Sequence, residues 1–210
     1  MNSNKEINFC KNDLTDDLFN SYKNSSYLAV DTEAMGLIHG RDRLCVIQLS
    51  NERNITTCIK LEINNSHSEK IKLLLENKLI KKIFHFARFD VAALKCNLQI
   101  HTSNIFCTKI ASKLARTYTN KHGLKDLINE LINVELDKSS QSSDWGSEED
   151  FSNKQIDYAA NDVRYLIDAM KKLVIILKRE GRYELAEKCF NVIPVYSELD
   201  INRFSNIFEH

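Results

Sequence analysis

Short apolar runs alternate with polar spacers along the chain, and their period predicts its elements. Residues 1–25 are polar and rich in Asn and Lys, with a short helix predicted near 13–22. Residues 27–31 read as a buried strand, 43–50 as a second with β-branched alternation, and 54–61 as a third. Gly36 and Gly40 mark the turn between the first two, so the three form an antiparallel meander. Ile71, Leu74 and Leu75 give residues 68–77 a helical period. Strands at 82–86 and 104–108 follow, separated by a helix at 89–95. Helices are predicted at 109–117, 124–132, 153–180 and 182–189, with a polar loop over 137–153. Three strands, then alternating helix and strand, then helices, predict an α/β domain: a mixed five-stranded sheet flanked by helices. Ligands in such folds sit at strand ends. The end of the first strand and the turn after 82–86 are therefore where chemistry is expected.

A chain of 210 residues suits one domain, read as a core over about 25–190 and a C-terminal arm over 191–210. It is long enough to bury a core without disulfide or metal staples. The longest apolar run, 173–177, is far too short to span a membrane. Residues 1–6 show no apolar leader, and the six cysteines show no CxxC spacing. A cytoplasmic chain with reduced thiols is the expectation. Lys plus Arg (29) balances Asp plus Glu (29), which argues against a broad positive field gripping long nucleic acid. A local basic patch remains compatible.

The candidate chemistry is a set of acids. Asp31 and Glu33 are two apart on an extended chain, so both side chains point to one side. Asp90 opens the helix after the 82–86 strand. Tyr158 and Asp162 are four apart in a helical pattern and share a face. Converging carboxylates without a neutralising Lys or Arg repel one another. Oxygen-only donors select hard cations, Mg²⁺ or Mn²⁺. Two such ions per site suit phosphodiester hydrolysis, and a tyrosine hydroxyl beside them can position the attacking water. Taken singly, each pair also occurs on ordinary surfaces; their order and placement together carry the reading.

These segments resemble the three motifs of the DEDD exonucleases, in the tyrosine-containing branch. The similarity is to the ribonuclease D family and, within it, to the short nano-RNase C group. It runs from about Tyr27 to Lys172 and includes Arg43-Leu44-Cys45-Val46-Ile47-Gln48-Leu49-Ser50 and Phe84-His85-Phe86-Ala87-Arg88-Phe89-Asp90. It also includes Arg116 to Lys125, and Gln141-Ser142-Ser143-Asp144-Trp145. The resemblance implies a ribonuclease H-like 3′-5′ exonuclease fold. It implies cleavage of short RNA with a free 3′ end, dinucleotides included, by a homo-octamer. It implies that Asp31, Glu33 and Asp162 hold metal, that Asp90 supports the second ion, and that Tyr158 orients water. Leu37 falls where related enzymes wedge between bases, with Ala34, Met35 and Gly36 lining the floor beneath.

Other residues keep two readings. Lys109, Lys113, Arg116, Lys121 and Lys125 are five cations without an intervening acid. They meet a substrate phosphate, a neighbouring subunit or solvent. His122 reads as a helix-start residue or a contact to a terminal phosphate. Trp145 reads as a loop anchor or a base-stacking platform, and His85 as a core or supporting residue. The alternatives for the whole chain are a trimmer of tRNA or other longer 3′ ends, a DNA exonuclease, and a non-catalytic RNA-binding module.

Overall fold

The computed structural model describes residues 7–136, 143–205 and 207–208. The expectations for residues 1–6, for Gln141 and Ser142, and for the loop over 137–142 lie outside the described residues. The elements run β1 (Ile7–Lys11), α1 (Asp16–Tyr22), β2 (Tyr27–Ala34), β3 (Leu44–Asn51) and β4 (Thr56–Lys60). Then come α2 (Glu69–Glu76), β5 (Lys81–Phe84), α3 (Ala87–Leu98), β6 (Ile105–Cys107), α4 (Thr108–Ala115) and α5 (Leu124–Ile132). The chain continues through α6 (Asn153–Arg164), α7 (Leu166–Arg179), α8 (Tyr183–Asn191) and α9 (Ile193–Ile201).

The sheet has six strands, not the expected five, in the order β1-β4-β3-β2-β5-β6. The additional strand is β1, which pairs parallel with β4 at the sheet edge. Its Ile7/Phe9 alternation is short and set among polar residues, so the period is weak; edge strands are commonly short and charged. The meander β2-β3-β4 is antiparallel as expected, while β5 and β6 add in parallel. This places β2 in the middle of the sheet, paired on both sides.

Side chains alternate across the sheet. On one face Leu28, Val30, Ile47, Leu49 and Ile59 join the main core with residues of α2 and α3. On the other, Val46 and Cys58 pack with Ala159 and Ala160 of α6. Glu33 pairs with Val46 but Ala34 pairs with Leu44, so Cys45 is an extra residue in a β-bulge where β2 ends. Tyr22, fully buried, ties α1 to the sheet through its hydroxyl, 2.8 Å from Thr57 Oγ1.

The single helix expected over 153–180 is two. Tyr165, at φ −108° and ψ −3°, is distorted from ideal helical values, so α6 ends at Arg164 and α7 begins at Leu166. No Gly or Pro marks the break, and the apolar period runs through it. Helix α6 opens with a capping box, Ser152 accepting from Gln155 N while the Gln155 side chain accepts from Ser152 N. Part of the segment read as an arm is α9, which packs against α3 of the same chain. There the Ser197 hydroxyl donates to Arg88 O at 3.0 Å. Among the described residues no helix is long and apolar enough to cross a membrane.

Ile47 is fully buried in β3 between β2 and β4. Ile47→Ala should cost about 2–5 kcal/mol, seen as a lower urea midpoint with an unchanged m-value.

Candidate active site

Three segments far apart in sequence bring acids to the end of β2. Asp31 and Glu33 leave β2 on the side of α6. Asp162, near the end of α6, meets them: one carboxylate oxygen from each of Asp31, Glu33 and Asp162 lies within 4.8 Å of the others. Asp90, in the first turn of α3, is buried and accepts a 2.7 Å hydrogen bond from the Thr32 hydroxyl. Tyr158 stands one turn before Asp162 on α6, close enough to Asp162, Glu33 and Asp31 for their charges to act on its phenol. The structure thus gathers all five residues on which catalysis was expected to rest.

The electrostatics are strained in the direction expected for an ion site. Burial, then the charges of Asp90, Asp162 and Glu33, pushes the Asp31 carboxyl well above the usual range. Burial, then Asp162 and Asp90, pushes Glu33 up to about 8. Burial pushes Asp90 up to about 7, opposed by the bond from Thr32. Burial and the neighbouring carboxylates also raise the Tyr158 phenol. No lysine or arginine among the described residues forms an ion pair with Asp31, Glu33 or Asp90. An all-oxygen donor set of this charge fits a hard divalent cation.

Beyond the acids, the β2–β3 turn projects Leu37, 81% exposed. Gly36 is required there: a Cβ would stand 2.2 Å from Asp42 Oδ2, whose carboxylate binds Ile38 N and Arg41. Gly36 therefore shapes the turn. Met35 is exposed, with Gly146 close against its side chain, and Ala34 is half-buried at the bulge. Leu37 shares a cavity of about 630 Å³ with His39, Phe86, Phe89 and Arg88.

Phe86 was not singled out by sequence. It caps α3 in the left-handed region (φ 72°), is half exposed, and carries Lys109 Nζ 4.3 Å from its ring centroid. A bulky residue held there is strained, a condition common at functional sites. Thr32, between the two motif acids, was also passed over; its signal is only its position.

His122 Nδ1 is 2.9 Å from Ser112 Oγ, which also accepts from the fully buried Arg116. Lys125 ion-pairs with Glu135. No described contact ties His122 or Lys125 to the acids. Trp145 is buried against Phe151 and Tyr158, ring centroids 5.4 and 6.2 Å away, so it anchors the loop before α6. His85 bonds Thr108 Oγ1 at 3.0 Å, and burial lowers its pKa to about 4.

A family model described as 3′-5′ exonuclease matches residues 7–178. The chain belongs to the 3′-5′ exonuclease family, in its ribonuclease D-like NrnC group. It is 43% identical to NrnC from Brucella melitensis, solved bound to pGG, with a TM-score of 0.92 over 97% of this chain and 98% of that one. NrnC has also been solved with bound Mg²⁺. Ribonuclease D from Sphingobium indicum is 31% identical over 75% of this chain and 40% of its own length. DNA polymerase I from Aquifex aeolicus is 34% identical over 78% of this chain and 27% of its own length. The chain thus spans about two fifths of the ribonuclease D relative it matches. The exonuclease is a hydrolase of ribonuclease H-like fold whose acidic cluster suits divalent metal.

Glu33→Gln should raise the melting temperature of the metal-free exonuclease by about 2–4 °C, because one member of a repelling cluster is neutralised. Mg²⁺ should then stabilise the wild type much more than the variant in parallel melts.

Proposed function

We propose that this exonuclease hydrolyses short RNA from its free 3′ end, dinucleotides included, to nucleoside monophosphates, using two Mg²⁺ or Mn²⁺ ions per site. The observation that carries the reading is the meeting of Asp31, Glu33 and Asp162 oxygens within 4.8 Å, in a chain alike over almost its whole length to a nuclease solved with pGG. Asp31, Glu33 and Asp162 hold the ions, with Asp90 supporting the second. Bound cations supply Lewis-acid polarisation of the scissile phosphate and charge stabilisation of the departing oxygen. Tyr158, backed by Trp145, orients the attacking water. Water adds to phosphorus, the 3′-oxygen of the preceding nucleotide departs with a proton, and a nucleoside 5′-monophosphate is released. Leu37 separates the last two bases above Ala34, Met35 and Gly36.

Preference for short RNA has physical support. Several cations that would track a long backbone are already engaged: Arg41 with Asp42, Arg88 with Asp200, Lys95 with Glu198 and Arg116 with Glu130. Affinity for long chains grows with the number of phosphates neutralised. His122 and Lys125 are the proposed contacts to a terminal phosphate. Exposed Val192, Val195, Phe204 and Phe208 suit burial between copies of the chain in a homo-oligomer, an octamer on the nano-RNase C reading. A cytoplasmic setting completes the proposal.

A metal-supplemented time course on RNAs of two to twenty nucleotides, with matched DNA, tests this. Dinucleotides should turn over fastest; faster loss of the twenty-mer favours trimming of tRNA or other long 3′ ends. Faster loss of DNA favours a DNA exonuclease, and no cleavage by folded protein favours an RNA-binding pseudonuclease.

Tyr158→Phe should lower kcat by about 10²-fold or more with Mg²⁺ affinity retained, as stopped-flow kinetics and calorimetry would read. Leu37→Ala should mainly raise KM for dinucleotides, measured in steady-state assays, and leave melting unchanged because Leu37 is exposed.

A further inference from the structure

Gln48 is an anomaly in the sheet. It lies in β3, is fully buried, and neither Oε1 nor Nε2 has a hydrogen-bond partner among the described residues. Buried polar groups are nearly always paired, and an unpaired one calls for an explanation such as a bound water or a functional role. An apolar side chain would suit a position with nothing to bond.

Its register supplies the explanation. Gln48 stands directly opposite Asp31 of β2 and Cys58 of β4. Directly opposed residues of antiparallel strands project to the same face. Asp31, Gln48 and Cys58 therefore form a row across three strands. Both ends of that row face α6: Asp31 meets Asp162, and Cys58 Sγ lies 3.7 Å from Ile156 O. The amide is enclosed between them. Toward Cys58 the wall is apolar, built with Ala159 and Ala160. In the other direction the row ends on the Asp31 carboxylate.

Asp90 offers a parallel, because the Thr32 hydroxyl donates to one of its oxygens at 2.7 Å. Among the described residues no side-chain donor of this kind reaches Asp31, whose hydrogen-bonding neighbour is the Thr32 backbone. Metal-ligating carboxylates are themselves generally hydrogen-bonded, which fixes the oxygen they present. A neutral amide donor can do this without the positive charge that would compete with a cation.

We propose that Gln48 is a positioning residue for Asp31, its amide N–H donating through one buried water to the carboxylate oxygen turned away from the ion. The inference rests on the metal-binding reading above. A bridging water satisfies the amide where no direct bond forms, and polar buried sites commonly hold one.

The test is Mn²⁺ binding without substrate, followed by electron paramagnetic resonance, on the wild type, Asp31→Asn, Gln48→Leu and Gln48→Met. Both Gln48 variants should melt at or above the wild type without metal. Their Mn²⁺ affinity should fall about 10- to 100-fold, and excess metal should restore most of kcat with KM for a dinucleotide unchanged. A folded Gln48 variant that binds Mn²⁺ within twofold of wild type overturns the proposal and makes Gln48 a packing residue. Wild type that binds no Mn²⁺, or Asp31→Asn that binds it equally, overturns the metal reading itself. If neither variant folds, nitrogen-edited spectra of the unmodified chain decide: the Gln48 side-chain amide should shift on Mg²⁺ titration, and an unmoved signal overturns the inference.

Discussion

Burial of the Asp31, Glu33, Asp90 and Asp162 carboxylates, together with their mutual repulsion, is the constraint on which the rest of the structure depends. Four carboxylates at one strand end, half-buried or buried and, among the described residues, without a lysine or arginine paired to Asp31, Glu33 or Asp90, oppose folding of the empty chain. The fold holds them together by main-chain geometry. Strand β2 is paired along both sides, α3 begins just beyond the end of β5, and α6 lies across the neighbouring strands. Hydrophobic burial on both sheet faces carries the cost, and a hard cation would relieve it.

The site divides into a part built on packed elements and a part built on turns. The acids stand on a central strand and two packed helices. Tyr158 is backed by Trp145, which the loop before α6 holds through Arg43 to Gly146 O and Lys60 to Glu148 O. Leu37 and Phe86, by contrast, are exposed on turns. The acids thus stand on packed elements, while the exposed apolar side chains beside them stand on turns, where recognition residues commonly sit.

Much of this was legible in the sequence because the informative signals are local. Asp31 and Glu33 share a side by strand alternation, and Tyr158 and Asp162 share one by helical spacing. The meander β2-β3-β4 follows from alternation and two glycines. What was not legible depends on tertiary context. Strand β1 is an edge strand whose pairing with β4 outweighs its polar setting. The left-handed Phe86 is a non-glycine residue forced there by the β5–α3 turn. His122 and Lys125 gave spacing alone, and in the fold they bond Ser112 and Glu135. The Gln48 amide stands in a strand otherwise read as ordinary core, and only the cross-strand register links it to Asp31.

The interruption at Tyr165 has a consequence for how the domain tolerates change. A continuous rod from 153 to 179 would tie the aim of Asp162 to the seating of Leu166, Leu173 and Leu177, so any repacking below would swing the carboxylate by leverage. Two shorter helices meeting at Tyr165 weaken that lever. The lower helix is then free to accept core substitutions over generations while the upper one keeps its bearing on the acids.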